Sequence, residues 1–310
     1  MYRSKAAFSY ICLCMAILFC TGCKKSNSYD TATDEIVAIY DFDTQSPMPA
    51  HFRTTNDSIY FSDQPGLAAL HMSGSAQFSA HNLPNMLGKI PLRNVIIVDL
   101  REEPHGFIND LPVSWINIDK KFINEGKTAS EIEADEESRL SQALSSGNLT
   151  IYLKGDPMKV IVKNAFPEKK LAQSFSVGYT RLPVTDEHRP SNEVTDQFIE
   201  FVKHLPPNTW LHFHCKKGQG RTTTFMAMYD MIKNSGRLKF EQILRRQRDL
   251  GGADLLDIHS QRHEKEEWAK DRLEFLRQFY RYTQENKNLE APFSVWMQKQ
   301  KSEARSQESE

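Results

Sequence analysis

Trp210-Leu211-His212-Phe213-His214-Cys215-Lys216-Lys217-Gly218-Gln219-Gly220-Arg221-Thr222-Thr223 is the stretch on which the reading of this 310-residue chain turns. Trp210, His212 and His214 alternate with Leu211, Phe213 and Cys215, the period of an extended strand. Beyond Thr222, Phe225, Met226, Met228 and Tyr229 recur at helical spacing. Two glycines lie between, where the backbone must curl. A strand, a tight loop and a helix start aim several backbone N–H groups and the positive end of a helix dipole at one point, so an anion belongs there.

The ends of the loop make it more than a cradle. A cysteine facing such donors at a helix N-terminus is favoured as the thiolate, its nucleophilic form. Arg221 presents a planar fork that can bind two oxygens of a phosphate. Thiolate attack on a phosphorus held there gives a phospho-cysteine and divides hydrolysis into two easier steps. Thr222 stands where its hydroxyl can hydrogen-bond the thiolate leaving in the second step. Lys216, Lys217, Gly218, Gln219 and Gly220 complete the candidate cradle. No Gly-Lys-Ser/Thr follows the glycines, so this is not a Walker loop. A bare Cys-x5-Arg is also satisfied by a buried cysteine and a surface arginine; the string His-Cys-x-x-Gly-x-Gly-Arg-Thr between a strand and a helix is far more specific.

An ester oxygen leaves poorly unless it is protonated as it departs. Upstream, Arg181-Leu-Pro-Val-Thr-Asp186-Glu-His-Arg-Pro190 reads as a loop bearing an acidic pair ahead of a helix. Asp186 is the candidate acid and Glu187 its competitor. Without the cysteine loop, a turn or capping aspartate is the alternative reading of Asp186.

With these motifs in place the chain resembles the bacterial PTP-like phytases, cysteine-dependent myo-inositol hexakisphosphate phosphatases of the protein-tyrosine-phosphatase superfamily. The resemblance rests on Thr-Asp186 with Pro190, on Trp210 to Thr223, on Phe225-Met-x-Met and on Arg246-Gln247. It continues through Gly251-Gly252, Phe279-Tyr-Arg-Tyr-x-Gln-Glu-Asn286 and Ser294-Val-Trp296, with weaker echoes back to Phe52-Arg-Thr54. It implies an α/β fold, a mixed sheet flanked by helices, with a small β-rich insertion at about 149–180 over the catalytic site. It implies removal of phosphates from myo-inositol polyphosphates, with Arg53 as a phosphate contact, Asp135 as a polar contact to the ring and His188 as a further substrate contact. The family often has histidine directly after the acid, where this chain has Glu187. No metal or cofactor is called for, because the arginine and the N–H donors stabilise the charge. A phosphotyrosine or dual-specificity phosphatase, and a non-catalytic inositol-phosphate-binding module, are the rival readings.

Composition sets the remaining bounds. The chain is 39% hydrophobic and 25% charged, with 39 basic and 40 acidic residues and a net charge of −1, so no overall field favours nucleic acid. Arg3 and Lys5 precede an apolar run, Ala6 to Cys20, too short to span a bilayer, and then Thr21-Gly22-Cys23. This resembles a lipoprotein signal over residues 1–22 with Cys23 lipidated, an exported protein held on a bacterial membrane; an ordinary secretory signal or an uncleaved anchor are the alternatives. Cys12, Cys14 and Cys20 then leave with the signal and Cys215 is the one free thiol of the mature chain.

Residues 23–49 read as a polar tether and 50–300 as the catalytic domain. Asn94 to Leu100 is a continuous apolar run expected at the centre of a sheet, and Val113 to Ile118 is a second strand. Ala129 to Leu144 is expected as an exposed helix closed by Gly147. Short strands are expected at Thr150–Leu153, Lys159–Val162 and Ser174–Val177, with Lys154, Lys159 and Lys163 facing either solvent or a polyphosphate. Ser191 should cap a helix whose stripe is Val194, Phe198, Phe201, Val202 and Leu205. Helices follow at about 221–234, 240–249, 262–285 and 293–300, and residues 301–310 read as a disordered tail.

Overall fold

The computed structural model describes residues 35–41, 46–56, 64–118 and 122–308. The proposed signal and Cys23 lie outside them. Two sheets form the frame. Strand β4 (Val95–Arg101) lies between β10 (Gly178–Val184) and β11 (Trp210–His214), and β11 continues to β3 (Met72–Ser75) and β2 (Arg53–Thr54). All neighbours in this sheet are parallel except β2 against β3. The apolar run Asn94–Leu100 therefore takes the interior position expected of it, as parallel strands covered on both faces require.

The second sheet runs β8 (Asp156–Ile161), β7 (Asn148–Leu153), β1 (Ile36–Tyr40), β6 (Leu111–Asn117), β5 (His105–Ile108), β9 (Ala165–Phe166). It corrects the reading of residues 23–49 as a tether: the segment contains β1, whose residues pair antiparallel with β6 from Ile36 opposite Asn117 to Tyr40 opposite Val113. In the β-rich stretch, β7 adds parallel to β1, so its strands extend a sheet begun at residue 36. Ser174 to Val177, expected as a strand, is instead the end of helix α3 (Glu168–Ser174) and a turn with Ser176 at φ 58°.

Helices cover both faces of the first sheet. The alternation of β11 decides which side chains go where. Leu211, Phe213 and Cys215 face a core built with Phe198, Phe225, Met226, Met228 and Phe279 from α4 (Asn192–Lys203), α5 (Gly220–Asn234) and α7 (His263–Glu285). Trp210 turns the other way, to Phe78, Ile97, Phe107 and Leu171, beside α1 (Leu83–Leu87) and α3. A third core lies between the second sheet and α2 (Ala129–Ser146), with Val113, Trp115, Ile151 and Leu140. Thr128 and Glu131 form a capping box at the start of α2, and Gly147 at φ 69° ends it. Ser191 Oγ accepts from Val194 N at 3.2 Å, the expected cap of α4.

Helix α6 (Phe240–Asp249) is fastened to α5 by the buried pair Arg246–Asp230, to which Gln247 Nε2 donates at 2.8 Å. The last helix, α8 (Phe293–Glu308), runs through most of the residues expected to be disordered. Its charges suit an exposed helix, as in Lys299 Nζ 3.8 Å from Glu303 Oε1 one turn on.

Candidate active site

The loop Cys215–Arg221 joins the C-terminal end of β11 to the first turn of α5, between two neighbouring parallel strands, where open parallel sheets place their ligand sites. Cys215 is buried, and Thr222 Oγ1 donates to its Sγ at 3.2 Å, the contact expected of a hydroxyl that steadies a thiolate. Gly218 has φ 69°, and a Cβ there would stand 2.2 Å from Ala76 N and 2.3 Å from the Ser75 carbonyl carbon. Only glycine allows the loop to lie this close to the end of β3.

Arg221 is 2% exposed and strongly held. Nη1 donates to Glu103 Oε2 at 2.7 Å and to Val184 O at 3.0 Å, and Nη2 to Glu103 Oε1 at 3.0 Å. Burial opposes the charge on Arg221, but Glu103 and Asp186 outweigh it and raise its pKa well above the usual value. Burial likewise works against ionised Glu103; Arg221 and Arg101 overcome it and hold that carboxyl well below the usual range. Asp186 Oδ1 lies 3.0 Å from Arg221 Nη2, so the upstream acid is at the cysteine loop, and its side chain is 43% exposed. The Nε of Arg221 is buried with no hydrogen-bond partner among the described residues. An orphaned donor of this kind in a cradle for anions is a place for a phosphate oxygen.

The other expected residues divide. Lys216 Nζ pairs with Asp41 Oδ1 at 3.1 Å, while Lys217 is exposed. Gln219 precedes α5, and its side chain lies 3.5 Å from Gly251 O. His188 Nδ1 is 2.8 Å from Asp186 O, and its ring packs on Trp268 (4.5 Å between centroids) and edgewise on Phe122 (5.0 Å). It shapes the acid loop. Arg53 is 5% exposed, with Nη1 donating to Gly218 O at 2.8 Å and Nη2 to Thr223 Oγ1 at 3.1 Å. Burial pushes its pKa down to about 10, against the opposing charge of Cys215. Arg53 is thereby fastened to the cysteine loop. Asp135 pairs with Arg139 at 2.9 Å on α2, and none of its described contacts joins it to the cysteine loop.

Two site residues were missed. Glu103, the fork that orients Arg221, lies just past the end of β4, and Arg-Glu-Glu in a sequence reads as solvated charge. Its position after a central parallel strand is the one available signal. Arg272 on α7 donates from Nη1 to Glu187 O at 3.4 Å, and the same atom is 3.0 Å from where a Cβ on Gly220 would be. Burial lowers its pKa against Glu187, Asp186 and Cys215, and no acid among the described residues forms an ion pair with it. Behind the loop a buried network links Arg101 to Asp41 (2.9 Å), Glu103 (2.9 Å) and Gln77 (2.5 Å), and His214 to Glu168 (2.7 Å).

A model of the PTP-like phytase family, described by inositol hexakisphosphate, matches residues 98–233. A PTP-like phytase from Bdellovibrio bacteriovorus is 31% identical, with a TM-score of 0.71 over 86% of this chain and 96% of that one. This chain belongs to the PTP-like phytase family. A second phytase-family structure, the PTP-like myo-inositol phosphatase from Mitsuokella multacida in complex with myo-inositol-(1,3,4,5)-tetrakisphosphate, has a TM-score of 0.81 at 30% identity, over 87% of this chain and 49% of that one. Among curated proteins, effector protein hopD2 of Pseudomonas syringae pv. tomato is 30% identical over 290 residues, 86% of this chain and 60% of the relative. The chain thus spans about half to three-fifths of the length of these last two relatives. The phytase family match covers the C-terminal part of β4, the acid loop, β11 and the cysteine loop, and with them Glu103, Asp186, Cys215 and Arg221.

Proposed function

We propose that this chain hydrolyses phosphate monoesters of myo-inositol polyphosphates, phytate among them, through a phospho-cysteine on Cys215. The observation that carries the reading is the meeting of Cys215, the fixed fork of Arg221 with its unpartnered Nε, and Asp186 at 3.0 Å from that fork. The Cys215 thiolate attacks phosphorus, the phosphorus–oxygen ester bond breaks, and the departing oxygen takes its proton from Asp186. Asp186, now ionised, takes a proton from water; the water oxygen attacks phosphorus, the sulfur–phosphorus bond breaks, and the Thr222 hydroxyl steadies the returning thiolate. Arg221 and the loop N–H groups bear the charge of the equatorial oxygens throughout.

An inositol polyphosphate is supported by the family match, by the ligand of the Mitsuokella structure, and by Arg272 and Lys217 beside the loop. Phosphate release from inositol hexakisphosphate and from a phosphotyrosine peptide, each with wild type and Cys215→Ser, tests it. Wild type should favour the inositol phosphate, and Cys215→Ser should bind without turnover. Preference for the peptide would move the substrate to the phosphoprotein class, and turnover by Cys215→Ser would refute the phospho-cysteine.

We also propose that the chain is exported and lipid-anchored through Cys23, on the strength of the apolar run and Thr-Gly-Cys23. Cys23→Ala should move the protein from the membrane to the soluble fraction with catalysis intact. A wild type found wholly in the soluble fraction would rule the anchor out.

A further inference from the structure

Glu187 follows the acid Asp186 and is a non-glycine residue at φ 66°. Its carboxylate forms an ion pair with Lys265 Nζ, and its carbonyl accepts from Arg272 Nη1 at 3.4 Å. Lys265 and Arg272 are two turns apart on α7 and share one face of it. Arg272 reaches the cysteine loop at Gly220. A cationic face of α7 therefore stands beside the phosphate cradle, and one of its two charges is cancelled by an acid on the loop that carries Asp186. The pair is within reach of solvent, with Lys265 33% and Glu187 28% exposed.

We propose that Glu187 is a specificity-determining residue: it competes with the peripheral phosphates of a substrate for Lys265 and lowers the preference for densely phosphorylated rings. The inference rests on the inositol-phosphate reading above. A singly phosphorylated ester places its one phosphate in the Cys215 loop and needs nothing from Lys265. A polyphosphate brings further anions against α7 and must displace the Glu187 carboxylate from the ammonium, leaving it as a like charge in the mouth of the site. Several other cations nearby are already committed, Lys216 to Asp41 at 3.1 Å, Arg189 to Asp271 at 3.1 Å, Arg181 to Glu136 at 2.8 Å and Arg53 to Gly218 O at 2.8 Å, while Arg272 and the exposed Lys217 form no ion pair among the described residues. The state of Lys265 consequently weighs heavily in how many phosphates the site can hold.

The test is the ratio of kcat/KM for inositol hexakisphosphate to kcat/KM for para-nitrophenyl phosphate. Glu187→Gln should raise this ratio roughly two- to fivefold, the range of a partly exposed charge pair, through KM for the polyphosphate, and added salt should shrink the gain. Lys265→Gln should lower the ratio, and the double variant should return near wild type because both charges have gone. If Glu187→Gln slows both substrates in parallel with the ratio unmoved, Glu187 merely positions the acid loop and the proposal is overturned while the functional reading stands. A wild type that releases phosphate from para-nitrophenyl phosphate but from no inositol phosphate defeats the functional reading, and this inference with it.

Discussion

Arg221 gives its terminal nitrogens to Glu103, Val184 and Asp186, and keeps Nε for what enters the loop. A guanidinium fixed in this way loses little freedom when phosphate binds, so the interaction is available to the transition state in full. Asp186 differs: it is part-exposed, and in the mechanism we propose it gives up a proton in the first step and regains one in the second. Asp186→Asn can hold the loop but donates no proton of the right kind to an alkyl oxygen. We expect kcat for inositol phosphates to fall on the order of 100- to 10,000-fold, the usual span for general acid catalysis. Against an aryl ester with a good leaving group the first step needs little protonation and the loss should be much smaller. Should Glu187→Gln show this leaving-group dependence and Asp186→Asn not, the roles of the two acids are reversed.

At the scale of elements, what was legible in the sequence was local. Strand β11, its loop and α5 announce themselves because hydrophobic period switches from two to helical across Cys215–Thr222. The central position of β4 and the cap of α4 were legible for the same reason. What escaped depends on partners distant in the chain. Ile36–Tyr40 is a short apolar run whose role exists only once β6 and β7 flank it. Glu103 matters through Arg221, and Arg272 is one cation among many on α7 until the fold brings it to Gly220. Arg53 was noticed, but nothing local says that its guanidinium is fastened to Gly218 and Thr223. The close packing of the loop sets up a prediction. Gly218→Ala puts a methyl 2.2 Å from the backbone N of Ala76 at a positive φ, and neither side can yield without moving the loop. A displacement near 1 Å of reacting groups costs on the order of 100-fold, so kcat should fall by at least that much while circular dichroism shows the fold retained. Near-normal kcat in Gly218→Ala would show that the loop tolerates another path.

The two sheets of the whole molecule meet across buried charges, and this makes stability depend on pH in a predictable direction. His105 of β5 is 1% exposed; its Nδ1 is 2.9 Å from Glu103 O and its Nε2 3.2 Å from Asp99 Oδ2 of β4. Glu136 of α2, Glu168 of α3, Arg181 of β10 and Arg101 of β4 surround it. Burial and Arg101 oppose a charge on His105, but Asp99 and Glu136 outweigh them and raise its pKa. Burial also opposes ionised Asp99; His105 and Arg181 overcome it and hold that carboxyl well below its usual value. A raised histidine contributes stability that is complete below its unfolded pKa, about 6.5, and is lost as pH rises through the folded value. Lowered carboxyls such as Asp99 and Glu103 contribute stability that is complete above their unfolded values, about 4, and is lost as pH falls through the folded ones. Wild-type Tm should accordingly be highest between about pH 5 and 6.5 and decline into the alkaline range. His105→Gln removes the group that titrates there, so its Tm should be lower at pH 6 yet nearly flat from pH 6.5 to 9. An alkaline decline as steep in His105→Gln as in wild type would show that some other group sets it, and that His105 does not carry its charge in the folded protein.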